Sequence, residues 1–141
     1  MTHGAKPTKS LESDLWQDFR NLVTGAQRIE NTISSGMSDV LYPTRQGWFW
    51  LELKIRYGDC FYMQRYQLAF AVRTLRISSL HAPKYVVYDY REGLGQLFDS
   101  KTLLGEMERH PYDEHKFKVT IHKTIPWITL PEIVYELNAL G

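Results

Sequence analysis

The stretch Gly36-Met37-Ser38-Asp39-Val40-Leu41-Tyr42-Pro43-Thr44-Arg45-Gln46-Gly47-Trp48-Phe49-Trp50-Leu51-Glu52-Leu53-Lys54-Ile55 reads as one β-hairpin. Its second arm, residues 48–55, is aromatic and branched apart from one acid and one base, and it is bounded by Gly47 and Gly58. That composition and punctuation predict a strand. Side chains alternate along a strand, so Trp48, Trp50, Glu52 and Lys54 share one face, and Phe49, Leu51, Leu53 and Ile55 the other. An acid and a base therefore stand side by side on an otherwise apolar element.

With residues 44–47 as the turn, Pro43 faces Trp48, Leu41 faces Trp50 and Asp39 faces Glu52. Opposed like charges roughly 5 Å apart at Cβ are destabilising. Two such carboxylates call for a shared proton or a shared cation. Hard oxygen ligands suit magnesium or manganese. Lys54, one pleat beyond Glu52, reaches the same place without being a ligand. The plain alternative is a salt bridge on a solvated strand face, because Glu-x-Lys recurs by chance in chains of this length.

With 141 residues, 43% of them hydrophobic and 13% aromatic, the chain suits one domain with a packed core. The expected division is a flexible tail over residues 1–9 and a single domain over residues 10–141. A single cysteine, Cys60, excludes an intramolecular disulfide and suits a reducing compartment. No apolar run has membrane-spanning length, and the first residues lack the apolar core of a signal peptide. A soluble cytoplasmic domain with no membrane partner is the expectation. Net charge is +1, but from Lys54 to Arg91 there are seven basic residues and two acidic ones. That local excess, which includes Arg56, Arg65, Arg73 and Arg76, could follow a phosphate backbone or form a solvated helix face.

Leu15, Trp16, Phe19, Leu22 and Val23 follow helical spacing and predict a first helix ending near Gly25. A short strand is expected over residues 28–33, then the hairpin, then a second helix from about residue 62 to 77. Tyr85-Val86-Val87-Tyr88 reads as a buried strand with Gln96-Leu97-Phe98 as its hairpin partner. A short helix over 103–109 and a strand over 117–121 follow. Thr129-x-x-Glu132 is a capping box ahead of a terminal helix carrying Ile133, Val134 and Leu137. Helix, strands, helix, strands, helix describes an α/β or α+β domain with a mixed sheet.

Arg28-Ile29-Glu30-Asn31, Gly36-Met37-Ser38-Asp39-Val40 and Trp50-Leu51-Glu52-Leu53-Lys54, followed by a helix bearing Gln64 and Gln67, resemble the PD-(D/E)xK nuclease superfamily. Within it the likeness is to small phage nucleases grouped with VRR-NUC domains and Holliday-junction resolvases. It spans roughly residues 11–98. Ser38 stands where the family has proline, which only shapes the approach to the aspartate. The resemblance implies a restriction-endonuclease-like core, with a mixed central sheet flanked by helices, and metal-dependent hydrolysis of phosphodiesters in DNA, branched junctions included. It implies a metal site of Asp39, Glu52, the Leu53 carbonyl and Glu30, loaded with Mg2+ or Mn2+. It further implies that Lys54 holds water or offsets phosphorane charge, that Gln67 (or Gln64) orients phosphate or water, and that Arg28, Arg56, Arg65 and Arg73 contact substrate. The first acid is Glu30 or Glu12. A homodimer, and the host cytoplasm for a phage-encoded chain, complete the picture. The alternative is a non-catalytic nucleic-acid-binding module on the same fold.

Other signals are left aside. His110, His115 and His122 lack the spacing of a zinc site. Cys60 lacks a catalytic partner. Tyr85, Tyr88 and Tyr90 suit a half-buried sheet. Gly93-Leu94-Gly95 is not a phosphate loop, since no lysine or helix start follows.

Overall fold

The computed structural model describes residues 9–23, 25–28, 40–45, 47–109, 112, 113 and 115–139. Helix α1 (Lys9–Arg20) buries Leu15, Trp16 and Phe19 on one stripe. It ends before Gly25 because the last turn tightens, with Leu22 N–H bonding to the Phe19 carbonyl at 3.0 Å. Strand β1 (Gln27–Arg28) pairs with β2 (Val40–Thr44), and β2 with β3 (Gly47–Ile55), both antiparallel. Residues 29–33 of the expected first strand lie outside the described residues. The hairpin register is the expected one: Leu41 opposes Trp50 and Pro43 opposes Trp48. Gly47, at φ 112°, supplies the positive dihedral that the tight turn requires. Asp39 lies outside the described residues.

After β3 the chain differs from the sequence expectation. Cys60–Tyr62 is a strand, β4, paired with β7 (Lys118–Thr120), and helix α2 begins only at Arg65. The apolar run could continue a helix, but the pairing with a distant strand takes it, and Met63 N–H adds a bond to the Phe117 carbonyl at 2.8 Å. Tertiary context overrides local pattern here.

Helix α2 (Arg65–Ile77) crosses over the sheet and delivers β5 (Lys84–Asp89) parallel to β3. Parallel neighbours need such a crossover. Strand β6 (Leu94–Asp99) returns antiparallel, as the sequence predicts, through a turn in which Asp89 Oδ1 accepts from Arg91 N–H at 2.9 Å. Helices α3 (Ser100–Arg109) and α4 (Leu130–Ala139) follow. The capping box of α4 is present, with Glu132 N–H donating to Thr129 Oγ1 and Thr129 N–H to Glu132 Oε1, each at 3.3 Å.

The five-stranded sheet runs β1-β2-β3-β5-β6. One face carries Phe49, Leu51, Leu53, Ile55 and Val86, packed with the apolar stripes of α1 and α4. The other carries Tyr85, Val87 and Phe98 under α2, α3 and the β4–β7 ribbon. The result is the expected mixed sheet flanked by helices. Among the described residues, no helix is long and apolar enough to cross a membrane.

Two residues fix the packing of the β6 region. A Cβ on Gly95 would meet Ile133 Cδ1 at 2.9 Å and the Val87 carbonyl oxygen at 3.2 Å. Gly95→Ala is expected to lower stability by about 1–3 kcal/mol in urea unfolding, with overpacking against α4 as the cause. Asp99 caps α3, its Oδ1 accepting from Thr102 N–H at 2.8 Å. Burial pushes its carboxyl up, but bonds from Thr102 and the nearby Lys84 outweigh that and hold its pKa below the ordinary 3.8. Its charge therefore stabilises the fold above that value, and the contribution fades as pH falls through the lower native value. Asp99→Ala is expected to cost about 1 kcal/mol at neutral pH. The gap to wild type should narrow in melts below pH 4.

Candidate active site

Alternation along β3 puts Glu52 and Lys54 on the face that α2 covers. They are 1% and 6% exposed, so the solvated salt bridge is not what forms. Lys54 Nζ stands 3.7 Å from Glu52 Oε1. A hydrogen-bond acceptor comes from the helix: Lys54 Nζ donates to Gln67 Oε1 at 3.1 Å. The same Gln67 oxygen accepts from Gln64 N–H at 2.8 Å. Gln67 thus closes the first turn of α2 and grips the lysine with one atom. Gln64 supplies the extended N-cap backbone, at φ −74° and ψ 155°. Of the two candidate glutamines, Gln67 is therefore the one joined to Lys54.

The neighbour across the sheet is Tyr85, in register with Glu52 on parallel β5. Burial first, and the Glu52 carboxylate second, push its phenol well above the ordinary range. The phenol therefore keeps its proton beside the carboxylate. Sequence reading takes Tyr85 for a sheet residue only. Its place beside Glu52 depends on a parallel pairing between strands separated by a helix, which no local pattern announces.

A wall of aromatic contact continues the site along β3. Trp50 meets Phe70 of α2 edge to face, with ring centroids 6.2 Å apart. The helix runs antiparallel to the strand over this face, since Gln67 meets Lys54 and Phe70 meets Trp50.

The remaining candidates are dispersed. Leu53 turns its side chain to the opposite core. Arg28, half-buried on β1, reaches Ser13 Oγ at 3.4 Å. Arg56 is held within the fold: Nε donates to the Gly58 carbonyl at 2.7 Å, Nη1 reaches Asp89 Oδ2 at 3.3 Å, and the guanidinium lies 4.7 Å from the Trp127 ring centroid. Arg65 and Arg73 are on the exposed side of α2. Glu12 rides on α1, which packs on the sheet face opposite Glu52. Glu30 and Asp39 lie outside the described residues. Among the described residues no three His, Cys, Asp or Glu side chains gather in a metal-holding group.

The signals left aside have ordinary roles. His122 Nε2 pairs with Glu106 at 3.1 Å. His115 is exposed, and His110 lies outside the described residues. Cys60 is buried, its Sγ bonds to the Tyr57 carbonyl at 3.2 Å, and burial raises its thiol pKa, which keeps it protonated and inert.

A buried ion pair is costly to leave half-made. Lys54→Met is therefore expected to lower unfolding stability by about 3 kcal/mol, since it removes one charge of a buried pair and leaves the other. Adding Glu52→Gln should restore most of that loss. Additive losses in the double-mutant cycle would show that the two charges are not coupled.

No protein-family model matches the chain, and no curated protein matches it. Among solved structures it is similar to Archaeoglobus fulgidus Hjc, a Holliday junction resolvase from an archaeal hyperthermophile. The TM-score is 0.57 and the identity 17%, and the match covers 89% of this chain and 98% of Hjc. The likeness is one of fold, and the fold is the restriction-endonuclease-like core that the sequence motifs imply.

Proposed function

We propose that this protein is a divalent-metal-dependent endonuclease of the phage resolvase type, cutting phosphodiester bonds in branched DNA. The observation that carries the reading is the buried Glu52–Lys54 pair gripped by Gln67, on the central strand of a fold shared with a junction resolvase. A lysine and a glutamate brought under a helix, at a desolvation cost, suit a site better than a surface contact.

The donor chemistry fits a hard dication. Glu52 offers buried carboxylate oxygens, and Asp39 immediately precedes Val40, whose partner Leu51 adjoins Glu52. Asp39, Glu52 and the Leu53 carbonyl would hold Mg2+ or Mn2+, with Glu30 as a further acidic ligand. When bound, the ion supplies a more acidic water and neutralises charge on the scissile phosphate.

The other roles fall to the chain itself. Lys54 offers its ammonium to the attacking water or to a phosphate oxygen, where a fixed cation offsets the charge that grows in the transition state. Gln67 positions Lys54, so the ammonium need not reorganise as the reaction proceeds. Arg65 and Arg73, together with Arg28 and Gln64, take the DNA backbone. Arg56, committed to Asp89 and Trp127, acts on substrate only through the loop it holds. Two symmetric cuts across a four-way junction require two such sites, so the working form is a homodimer.

The test is cleavage of end-labelled four-way, single-stranded and duplex DNA with Mg2+ or Mn2+. Wild type is expected to cut the junction. Glu52→Gln, Asp39→Asn and Lys54→Ala should each lose at least about a hundredfold in rate, the scale of a removed charge-stabilising group, while retaining DNA binding. Wild-type protein that binds DNA without cutting in either metal would make it a binding module. A Glu52→Gln protein as active as wild type would remove the assignment.

A further inference from the structure

We infer that the aromatic track running outward from the Lys54–Gln67 contact, exposed at Tyr66 of α2 and Trp48 of β3 and joined by the half-buried Phe70 and the exposed Arg73 of α2, is a stacking surface for unpaired DNA bases. The inference rests on the nuclease reading only for the direction of the strand, and it adds the substrate class: DNA with unstacked nucleotides near the cut.

Alternation puts Trp48 and Trp50 on the same face of β3 as Glu52 and Lys54. On that face Phe70 of α2 packs on the Trp50 indole. Trp48, the next position outward, is 49% exposed. Tyr66, Phe70 and Arg73 follow one another at i, i+4 and i+7, so they form one stripe along the helix. Tyr66 is 46% exposed, next in sequence to the Gln67 that holds Lys54. The Arg73 guanidinium lies 5.9 Å from the Phe70 ring centroid. The track thus begins at the buried site and runs outward along strand and helix together.

Scattered exposed aromatics need no explanation, but these are aligned and lie among positive charge. Helix α2 carries Arg65, Arg73 and Arg76 and no acidic residue. That combination of π-faces and arginines fits a polyanion whose bases are free to stack. A continuous duplex hides its base faces and would use the arginines alone. A second copy of this chain would bring the same three arginines per helix toward the interface, so charge argues for the nucleic acid.

The experiment is fluorescence anisotropy in EDTA, so that nothing is cleaved, with a labelled dT20 strand and a labelled 20-base-pair duplex at equal salt. Wild type is expected to bind dT20 more tightly than the duplex. Trp48→Ala and Tyr66→Ala should each weaken dT20 binding about tenfold, change duplex binding less than twofold, and leave the thermal melt unmoved. Trp48→Phe should recover most of the loss. Equal losses on both DNAs, no loss on dT20, or no DNA binding by wild type would overturn the inference. A Trp48→Ala change in the sedimentation of DNA-free protein would assign the face to a second copy instead. Magnesium-dependent cleavage, run in parallel, separates the two ideas. Selective dT20 binding without cleavage removes the nuclease reading alone, and cleavage without selectivity removes the stacking surface alone.

Discussion

The contact between Lys54 and Gln67 ties the central strand to the crossover helix, and the site face of the molecule is organised around it. A buried ammonium must be given acceptors, because an isolated charge in a dry interior costs many times the net stability of a domain. Gln67 supplies a hydrogen-bond acceptor from above, and Glu52 an opposite charge 3.7 Å away on the same strand. Since Gln67 also closes the first turn of α2, the helix can begin only where its side chain reaches the lysine. The start of α2, the depth of the charged pair and the roof over the sheet are therefore one constraint rather than three.

That constraint divides the labour between the two faces of the sheet. The face beneath α1 and α4 is wholly apolar along β3 and is where burial supplies stability. The opposite face mixes tyrosine, acid and base under a helix whose outer side is aromatic and basic. Polar groups placed so deep weaken a core unless partners are fixed around them. Gln67, which accepts twice, is such a partner.

Much of this was legible in the sequence, and what was not has physical reasons. The hairpin register followed from period-two alternation and a glycine-terminated turn, both local properties. The capping box of α4 is likewise a four-residue signal. The start of α2 was misplaced by three residues because Cys60-Phe61-Tyr62 pairs with residues 118–120, and strand pairing across such a separation leaves no trace in local periodicity. Tyr85 was missed as a neighbour of Glu52 for the same reason, since the parallel pairing of β3 with β5 is a property of the crossover. That the Arg56 guanidinium meets Asp89 and Trp127 is equally invisible to local pattern, since both partners are distant in sequence.

The parallel pairing has a further consequence for how the site is held. Edge strands can slip or splay, but β3 has β2 on one side and β5 on the other, and its two charged side chains sit within the ladder that β3 makes with β5. Lys54 pairs in register with Val87, and Glu52 with Tyr85, so each charged residue has a bulky buried neighbour fixed on an interior strand. A one-residue slip would send Glu52 and Lys54 into the apolar core beneath α1, at the cost of burying two charges with no acceptor designed for them. The chemistry that gives the face its function is thus also what forbids the alternative register. The same acid and base that look out of place in an apolar strand are the residues that make its orientation unambiguous.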